Sequence, residues 1–377
     1  MMTRPGGRWV VGAVLAALLA VPAAIQGLGL PAYYLVFLYF FFFWVAQATS
    51  WNVISGYAGY FSFGQGAFYG AGVYGAAVLI DRHGAPYGLA IPAGAVASAL
   101  VACGIGLVVF RLRQIRGPVF ALVTLAAAVA LHSLVNNVGY LDGGRGIPLP
   151  KLEYPWGLSD VEFLYFAGLL VACVAVGVGW WTHRSRHGWG LRAIHDDERV
   201  AEGLGVPTFA YKIAALALSG AVAGLSGGLH ALQVRYVTAD AVFSLRVPLL
   251  VIMMCVLGGR RHWLGPILGA GVVHAINDRL SGPGLGTVSE VVMGLLLMVV
   301  VATLPDGIYS RVTERGTTAT VVGLVAMGVA AAAGASLLDA LAIGVGTFVL
   351  LLVTPKRLWG GGRGIGRRPR GVEAARG

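Results

Sequence analysis

Charge is scarce in this chain. Only 11% of its 377 residues are Asp, Glu, Lys or Arg, against about a quarter in a soluble domain. Beside that shortage stand 57% hydrophobic residues and a mean hydropathy of +0.78. A water-soluble fold has no core large enough to hide so much apolar surface, so lipid must solvate most of the chain. Catalytic signatures are missing too. No GxxxxGK[ST] phosphate loop occurs, so this chain is not expected to hydrolyse ATP by itself, and there is no HExxH pair. The glycine-rich GGRGIG near the C-terminus follows no strand and is read as a loop. The three cysteines, Cys103, Cys173 and Cys255, sit inside apolar runs without CxxC or Cys/His spacing. An odd, buried count argues against a disulfide framework, and neither a metal nor a cofactor is expected. Acids are almost absent from the middle of the apolar runs; Glu290 lies near an end and Asp339 in a terminal segment. A carrier driven by protons or sodium ordinarily keeps an acid in a core helix, so that class is disfavoured.

What is present is a series of membrane-length apolar runs, each of which needs about 20 residues to span. They are Trp9–Leu30, Tyr33–Ser50, Ser62–Ile80, Gly88–Phe110, Pro118–Asn137, Val161–Thr182, Thr208–Val234 and Thr287–Leu304. The first offers a small-residue cleavage site in AVPAAIQG. It is nevertheless long for a signal peptide and another span follows at once, so a retained helix is expected. Val247–Gly259 and Leu264–Asn277 are apolar but short, which suits tilted, buried or broken helices. Thr318–Thr354, interrupted by Gly334, Ser336 and Asp339, reads as a tight hairpin of two short helices or as one long helix plus a buried segment, and is followed by the basic tail 356–377. The fold expected is an all-α polytopic transmembrane helical bundle of about ten to twelve membrane segments. Its core covers residues 1–316, with an added hairpin at 317–355.

The net charge of +11 comes from basic clusters, and these sort by topology. With Arg4 and Arg8 in the cytoplasm, Arg111–Arg116, the stretch Ser185–Gly205, Arg260–Arg261, Arg311–Arg315 and the tail all fall on that side. Both termini are then cytoplasmic, and the basic tail is a solvated end near anionic lipid rather than a nucleic-acid site. One internal echo stands out: GAFYGAGVY (Gly66–Tyr74) resembles GPILGAGVV (Gly265–Val273), consistent with small-residue packing or with a duplicated half. Polar residues within apolar runs are few: Asn52, Gln65, His132, Asn136, Asn137, His230, Gln233, His274, Asn277 and Asp339. Such residues are costly in lipid and are candidates for function, although a lone histidine is more often a packed core residue.

The longest polar stretch between membrane-length runs is SRHGWGLRAIHDDERVAEGLG, Ser185–Gly205. A plain connector between antiparallel helices is much shorter. Leu191, Ile194, Ala201 and Leu204 alternate with charges of both signs, as in short surface helices, and Gly205 is a plausible stop before Pro207. Apolar anchors with a polar rim suit a docking surface for a partner.

Five segments appear in family order: NVISGYAGYFSFGQGAFYGAGVY, RGPVFALVTLA, NNVGYLDGGRGI, GLRAIHDDERVAEGLGVPTFAYKIAALALSGAVAGLSGGLHA and VLGGRRHWLGPILGA. On these the chain, over roughly Trp44 to Gly307, resembles the permease subunits of bacterial branched-chain amino-acid ABC importers, the LivM-like more than the LivH-like branch. The resemblance implies a non-enzymatic, multi-pass subunit of the bacterial plasma (inner) membrane. Its implied partners are cytoplasmic ABC ATPase subunits, a second permease subunit (a LivH-like paralogue) and an extracytoplasmic substrate-binding protein. Within the loop 183–207, Arg192, Asp196, Asp197, Glu198, Ala201 and Gly205 are the implied ATPase-coupling residues. Asn52, Gly56, Ser62, Gly64, Gln65, Gly143, Gly144 and Gly146 are the expected substrate path. The implied cargo is branched-chain or related hydrophobic amino acids. Urea, short amides or another amino acid remain alternatives, and an ion-coupled secondary transporter a more distant one. Two departures bear on the cargo: Gln65 stands where the family usually has histidine, and Arg261-His262 where it usually has Gly-Thr.

Overall fold

Membrane-length apolar runs fold as helices because a helix satisfies its backbone hydrogen bonds internally, which hydrocarbon cannot do for it. A computed structural model describes residues 5–111, 117–141, 143–151 and 157–280, with helical positions at 291, 294–295, 298 and 307–309. These lie in one unit, Met1–Glu314. Most of the expected span Thr287–Leu304, the hairpin 317–355, the tail 356–377 and residues 112–116 of the basic cluster lie outside the described residues.

Helices dominate. In chain order they are α1 (Pro5–Gly27), α2 (Tyr33–Trp51), α3 (Gln65–His83), α4 (Tyr87–Arg111), α5 (Pro118–Asn137), α6 (Asp160–Arg184), α7 (Arg186–Asp196), α8 (Glu198–Gly203), α9 (Thr208–Val234), α10 (Ala239–Val242), α11 (Arg246–Gly258) and α12 (Gly265–Leu280). A short ladder pairs β1 (Ile147–Pro148) with β2 (Tyr236–Val237), antiparallel, Ile147 opposite Val237. Among the described residues, six helices are long and apolar enough to cross a membrane: Tyr33–Tyr57, Tyr87–Arg111, Pro118–Asn137, Asp160–Arg184, Thr208–Val234 and Ala239–Gly258. The polytopic all-α bundle expected from the sequence is therefore what forms.

Element boundaries differ from the expectation where side chains intervene. α2 does not stop at Ser50; it runs on through a π-helical turn, Asn52–Tyr57. α3 begins at Gln65 rather than Ser62, because the preceding backbone is held by side chains instead of helix bonds. Trp51 Nε1 donates to Ser62 O (2.8 Å), Ser62 N to Ser55 Oγ (3.2 Å) and Gly64 N to Ser62 Oγ (3.0 Å). A buried irregular segment survives only with its polar groups satisfied in this way. The short pair Val247–Gly259 and Leu264–Asn277 forms a tight helical hairpin, α11 and α12, joined by a turn at 259–264.

Small residues set where helices meet. Up to the last turn of α4, where Val109 and Phe110 are buried, its inward stripe is Ala90, Gly94, Ser98, Ala102 and Gly106, a spacing of four that keeps one face turned inward. Its exposed stripe is bulky: Leu89, Val96, Leu100 and Leu107. A Cβ added at Gly72 of α3 would sit 2.3 Å from Gly224 Cα of α9, and one at Gly94 2.5 Å from Gly72 O. α11 and α12 are closer still: a Cβ at Gly269 would fall 1.7 Å from Met254 O and one at Gly258 1.8 Å from Gly265 O. Ser98 Oγ lies 2.7 Å from both Phe68 O and Gly220 O, so its single proton ties α4 to α3 or to α9.

The contacts define two ends. At one lie the π-turn, the segment 58–64, α7–α8 and the 259–264 turn; at the other lie β1–β2, α10 and the last turn of α12. Replacing Gly72 with Leu should lower the melting temperature of the detergent-purified protein, since overpacking costs about 1–3 kcal/mol or more. Gly104→Leu, where an added Cβ meets nothing within 4 Å, should leave it unchanged.

Candidate functional site

The polar stretch between α6 and α9 folds into two short helices because capping residues fall at the right places. Ser185 accepts from Gly188 N (3.1 Å) and starts α7. Asp197, in extended conformation (φ −157°), breaks the chain; its carboxylate accepts from Arg199 N (2.8 Å) and Val200 N (3.1 Å) to start α8. Gly205 (φ +86°) ends the stretch with Val206 N bonded back to Ala201 O (3.0 Å), a left-handed glycine stop ahead of Pro207.

The inner face of this pair is anchored. Leu191, Ile194 and Ala201 are buried. Arg192 reaches back to the end of α6, donating from Nη2 to His183 O (2.7 Å) and from Nε to Gly188 O (3.3 Å), while its guanidinium lies 4.3 Å from the centre of the Trp189 ring. The outer face keeps apolar groups in the open: Trp189 is 65%, Val200 58% and Leu204 79% exposed. Asp196, Asp197 and Arg199 are exposed around them. Large bare apolar side chains rimmed by charge mark an interaction surface. Glu198 differs from its neighbours: its carboxylate turns inward to Lys212 and Tyr60. A cleft of about 530 Å³ opens beside it, between Ala58–Tyr60, Gly117 and residues 194–199.

The 259–264 turn packs against the same surface. Arg261 Nη2 lies 3.3 Å from His195 Nε2, and a Cβ at Gly59 (φ +76°) would come 2.4 Å from His195 Nδ1. His262 accepts at Nδ1 from Leu264 N (3.2 Å), which leaves the proton on Nε2 facing the Tyr309 hydroxyl (3.0 Å). Its ring stacks on Tyr309 (3.9 Å) and meets His183 edge-on (4.8 Å). Burial, with His183 adding to it, pushes His262 down to about 4. Burial also lowers His195, and Arg261 lowers it further.

The residues expected to line a path do not converge. Asn52 and Gly56 belong to the α7–α8 end: Asn52 Nδ2 donates to His262 O (3.5 Å), and a Cβ at Gly56 would sit 2.4 Å from Arg260 O. Ser62 and Gly64 are buried in the segment leading to α3. Gln65 joins a polar chain across three helices, donating to Gln47 Oε1 (2.6 Å) and Ser50 Oγ (2.7 Å), while Gln47 Nε2 donates to Ser226 Oγ (2.9 Å). Gly143, Gly144 and Gly146 sit at the opposite end with positive φ, Gly146 against Tyr236. Tyr60 and Lys212 escaped the sequence reading. Lys212, a lone cation near the start of the apolar run Thr208–Val234, was the available signal. No group of three or more His, Cys, Asp or Glu that could hold a metal occurs among the described residues.

With this geometry in place, comparison with known proteins is decisive. The family described as "branched-chain amino acid transport system / permease component" matches residues 33–301. The chain belongs to this permease family. It is 28% identical over 283 residues to the high-affinity branched-chain amino acid transport system permease protein LivM of Salmonella typhimurium, covering 68% of this chain and 65% of that protein. LivM of Escherichia coli gives the same identity and coverage. A probable branched-chain amino acid transport permease protein, LivH of Methanocaldococcus jannaschii, is 23% identical over 268 residues, 66% of this chain and 82% of the relative. This permease thus spans about two thirds of the length of the LivM proteins it matches. No solved structure matches it.

His195 and His262, both lowered, give a pH prediction. A folded-state pKa below the ordinary 6.5 favours the neutral ring, so the stability it contributes is complete above that value and lost as pH falls toward about 4. Melting followed by intrinsic fluorescence should be flat from pH 8 to pH 7 and fall steeply below about pH 6. The His262→Phe permease should show a shallower acid slope.

Proposed function

We propose that this permease is a membrane-spanning subunit of an ATP-driven importer that carries branched-chain or related hydrophobic amino acids across the plasma membrane. The observation that carries the reading is the α7–α8 pair, whose inner face is fixed to the bundle and whose outer face bears Trp189, Val200 and Leu204. The pair joins α6 directly to α9. A short rigid body seated in a partner's cleft at such a junction turns a partner's closure into motion of two membrane helices.

On this reading separate ATPase subunits seat on α7–α8 in the cytoplasm, with Arg192, Asp196, Asp197, Glu198, Ala201 and Gly205 forming or shaping the surface. A second permease subunit, the LivH-like paralogue, completes the pathway. A substrate-binding protein docks at the end formed by β1–β2 and the Gly143–Gly146 loop. The N-terminus of α1 is then cytoplasmic, and the basic residues Arg186, Arg192, Arg199, Arg260 and Arg261 lie on the inner side, as the positive-inside rule asks. Gln65, with Gln47 and Ser50, places neutral amide and hydroxyl groups inside an apolar bundle, where the polar ends of an amino acid need partners.

Three measurements test the reading. Leu204→Asp should abolish co-purification of the ATPase subunits in mild detergent while membrane insertion stays normal; unchanged co-purification removes this surface from docking. Gln65→Leu should reduce leucine uptake about ten-fold or more with assembly intact. Unchanged uptake of every amino acid tested takes Gln65 out of the path. A permease that purifies alone and moves leucine down an ion gradient defeats the ATP-driven reading.

A further inference from the structure

Lys212 has no role in the reading so far, yet a cation near the start of a membrane helix is costly and needs a reason. Its side chain is only 7% exposed, and its ammonium lies 2.6 Å from Glu198 Oε1. Tyr60 OH donates to the other oxygen of the same carboxylate at 2.6 Å, and Lys212 Nζ is 3.4 Å from that hydroxyl. The ammonium also faces two rings, 5.3 Å from the centre of Tyr60 and 5.0 Å from Phe110. Phe110 stacks on Phe120 at 5.4 Å, and Tyr60 stands edge-on to both. One buried ion pair therefore gathers α8, the first turns of α9, the segment before α3, the end of α4 and the start of α5.

α8 is six residues long and Ala201 is its buried residue. Bends flank it at Asp197 and at Gly205. A helix so short, between two bends, would rock on its ends when pushed. We infer that Lys212 and Tyr60 are positioning residues that lock Glu198, and α8 with it, to α9 and to the segment entering α3, so that displacement of α8 reaches the membrane helices. Glu198 on this account faces inward as the transmitting group, whereas Trp189, Val200 and Leu204 face the partner. A carboxylate already held by an ammonium and a phenol at 2.6 Å is rigidly placed, and breaking the ion pair leaves the buried Lys212 ammonium without its counter-charge.

The inference rests on α7–α8 being the ATPase-coupling helices. The test uses the complete importer in liposomes: this permease, its ATPase subunits, the partner membrane subunit and the binding protein, with leucine as the transported probe. Lys212→Met should still co-purify with the ATPases and support hydrolysis. Its leucine import should fall about ten-fold relative to hydrolysis, so that ATP consumed per leucine rises about ten-fold. Tyr60→Phe, which loses one oxygen, should raise that ratio by a smaller factor. The exchange Glu198→Lys with Lys212→Glu should bring the ratio back toward wild type, because the pair is restored in reverse. Import and hydrolysis falling by one common factor in Lys212→Met would reduce the pair to a folding element and overturn the inference, as would an unchanged ratio. If Lys212→Met is not recovered from membranes, an unchanged ratio in Tyr60→Phe overturns it. A wild-type permease found without ATPase subunits would overturn the coupling reading itself. That outcome is distinct from a working importer whose ratio ignores Lys212 and Tyr60.

Discussion

Helix backbones meet in this chain where side chains are missing, and the rest of the structure depends on that. Lipid tails are as apolar as leucine, so no hydrophobic force drives one membrane helix against another; close packing does. Gly72, Gly94 and Gly224 let α3, α4 and α9 touch main chain to main chain, and Gly258, Gly265 and Gly269 do the same for α11 and α12. Close backbone contact does not by itself account for the echo between Gly66–Tyr74 and Gly265–Val273: a Cβ at Gly72 meets the Gly224 main chain, whereas one at its counterpart Gly271 meets only the Phe41 ring at 3.5 Å. Both stretches open a helix at the end where α7–α8 lie, and the connections before them nest together, Gly56 against the Arg260 carbonyl and Asn52 beside His262.

Once the backbones are that close, few polar side chains suffice to specify the arrangement. Gln47 and Gln65 knit α2, α3 and α9 through short hydrogen bonds, and Ser98 fixes α4 to its neighbours. At the α7–α8 end the polar groups become ionic, with Glu198 and Lys212 within the wall and Arg192 tying α7 to the end of α6. The polar load thus rises from the mid-bundle toward the surface that carries the exposed Trp189 and Leu204, where water is at hand to solvate it.

The bundle was legible in the sequence because its signal is compositional: long apolar runs allow only helices in lipid. The α7–α8 stretch was legible too, since Ser185, Asp197, Gly205 and Pro207 are local stop and start signals that act over a turn of chain. What was not legible depends on direction. Glu198 sits in a charged string, and nothing in DDER says that one acid turns inward while its neighbours face water. That is decided by Lys212 and Tyr60, 14 and 138 positions away. The scatter of Asn52, Gln65 and Gly146 between the two ends and the interior has the same origin. The π-turn and the side-chain-held segment 58–64 separate residues that a straight helix would have aligned.

From Leu89 to Leu107 the inward stripe of α4 is small and its outward stripe large, the reverse of a helix in water. Lineages of such a helix should therefore drift in an inverted manner. Leucine, valine and isoleucine can trade places freely on the lipid side, where any branched side chain dissolves equally well. Each inner alanine or glycine is held by the backbone opposite it. Over long divergence the overall greasiness would stay constant while carrying almost no memory of descent, and ancestry would survive in the residues with the least to them.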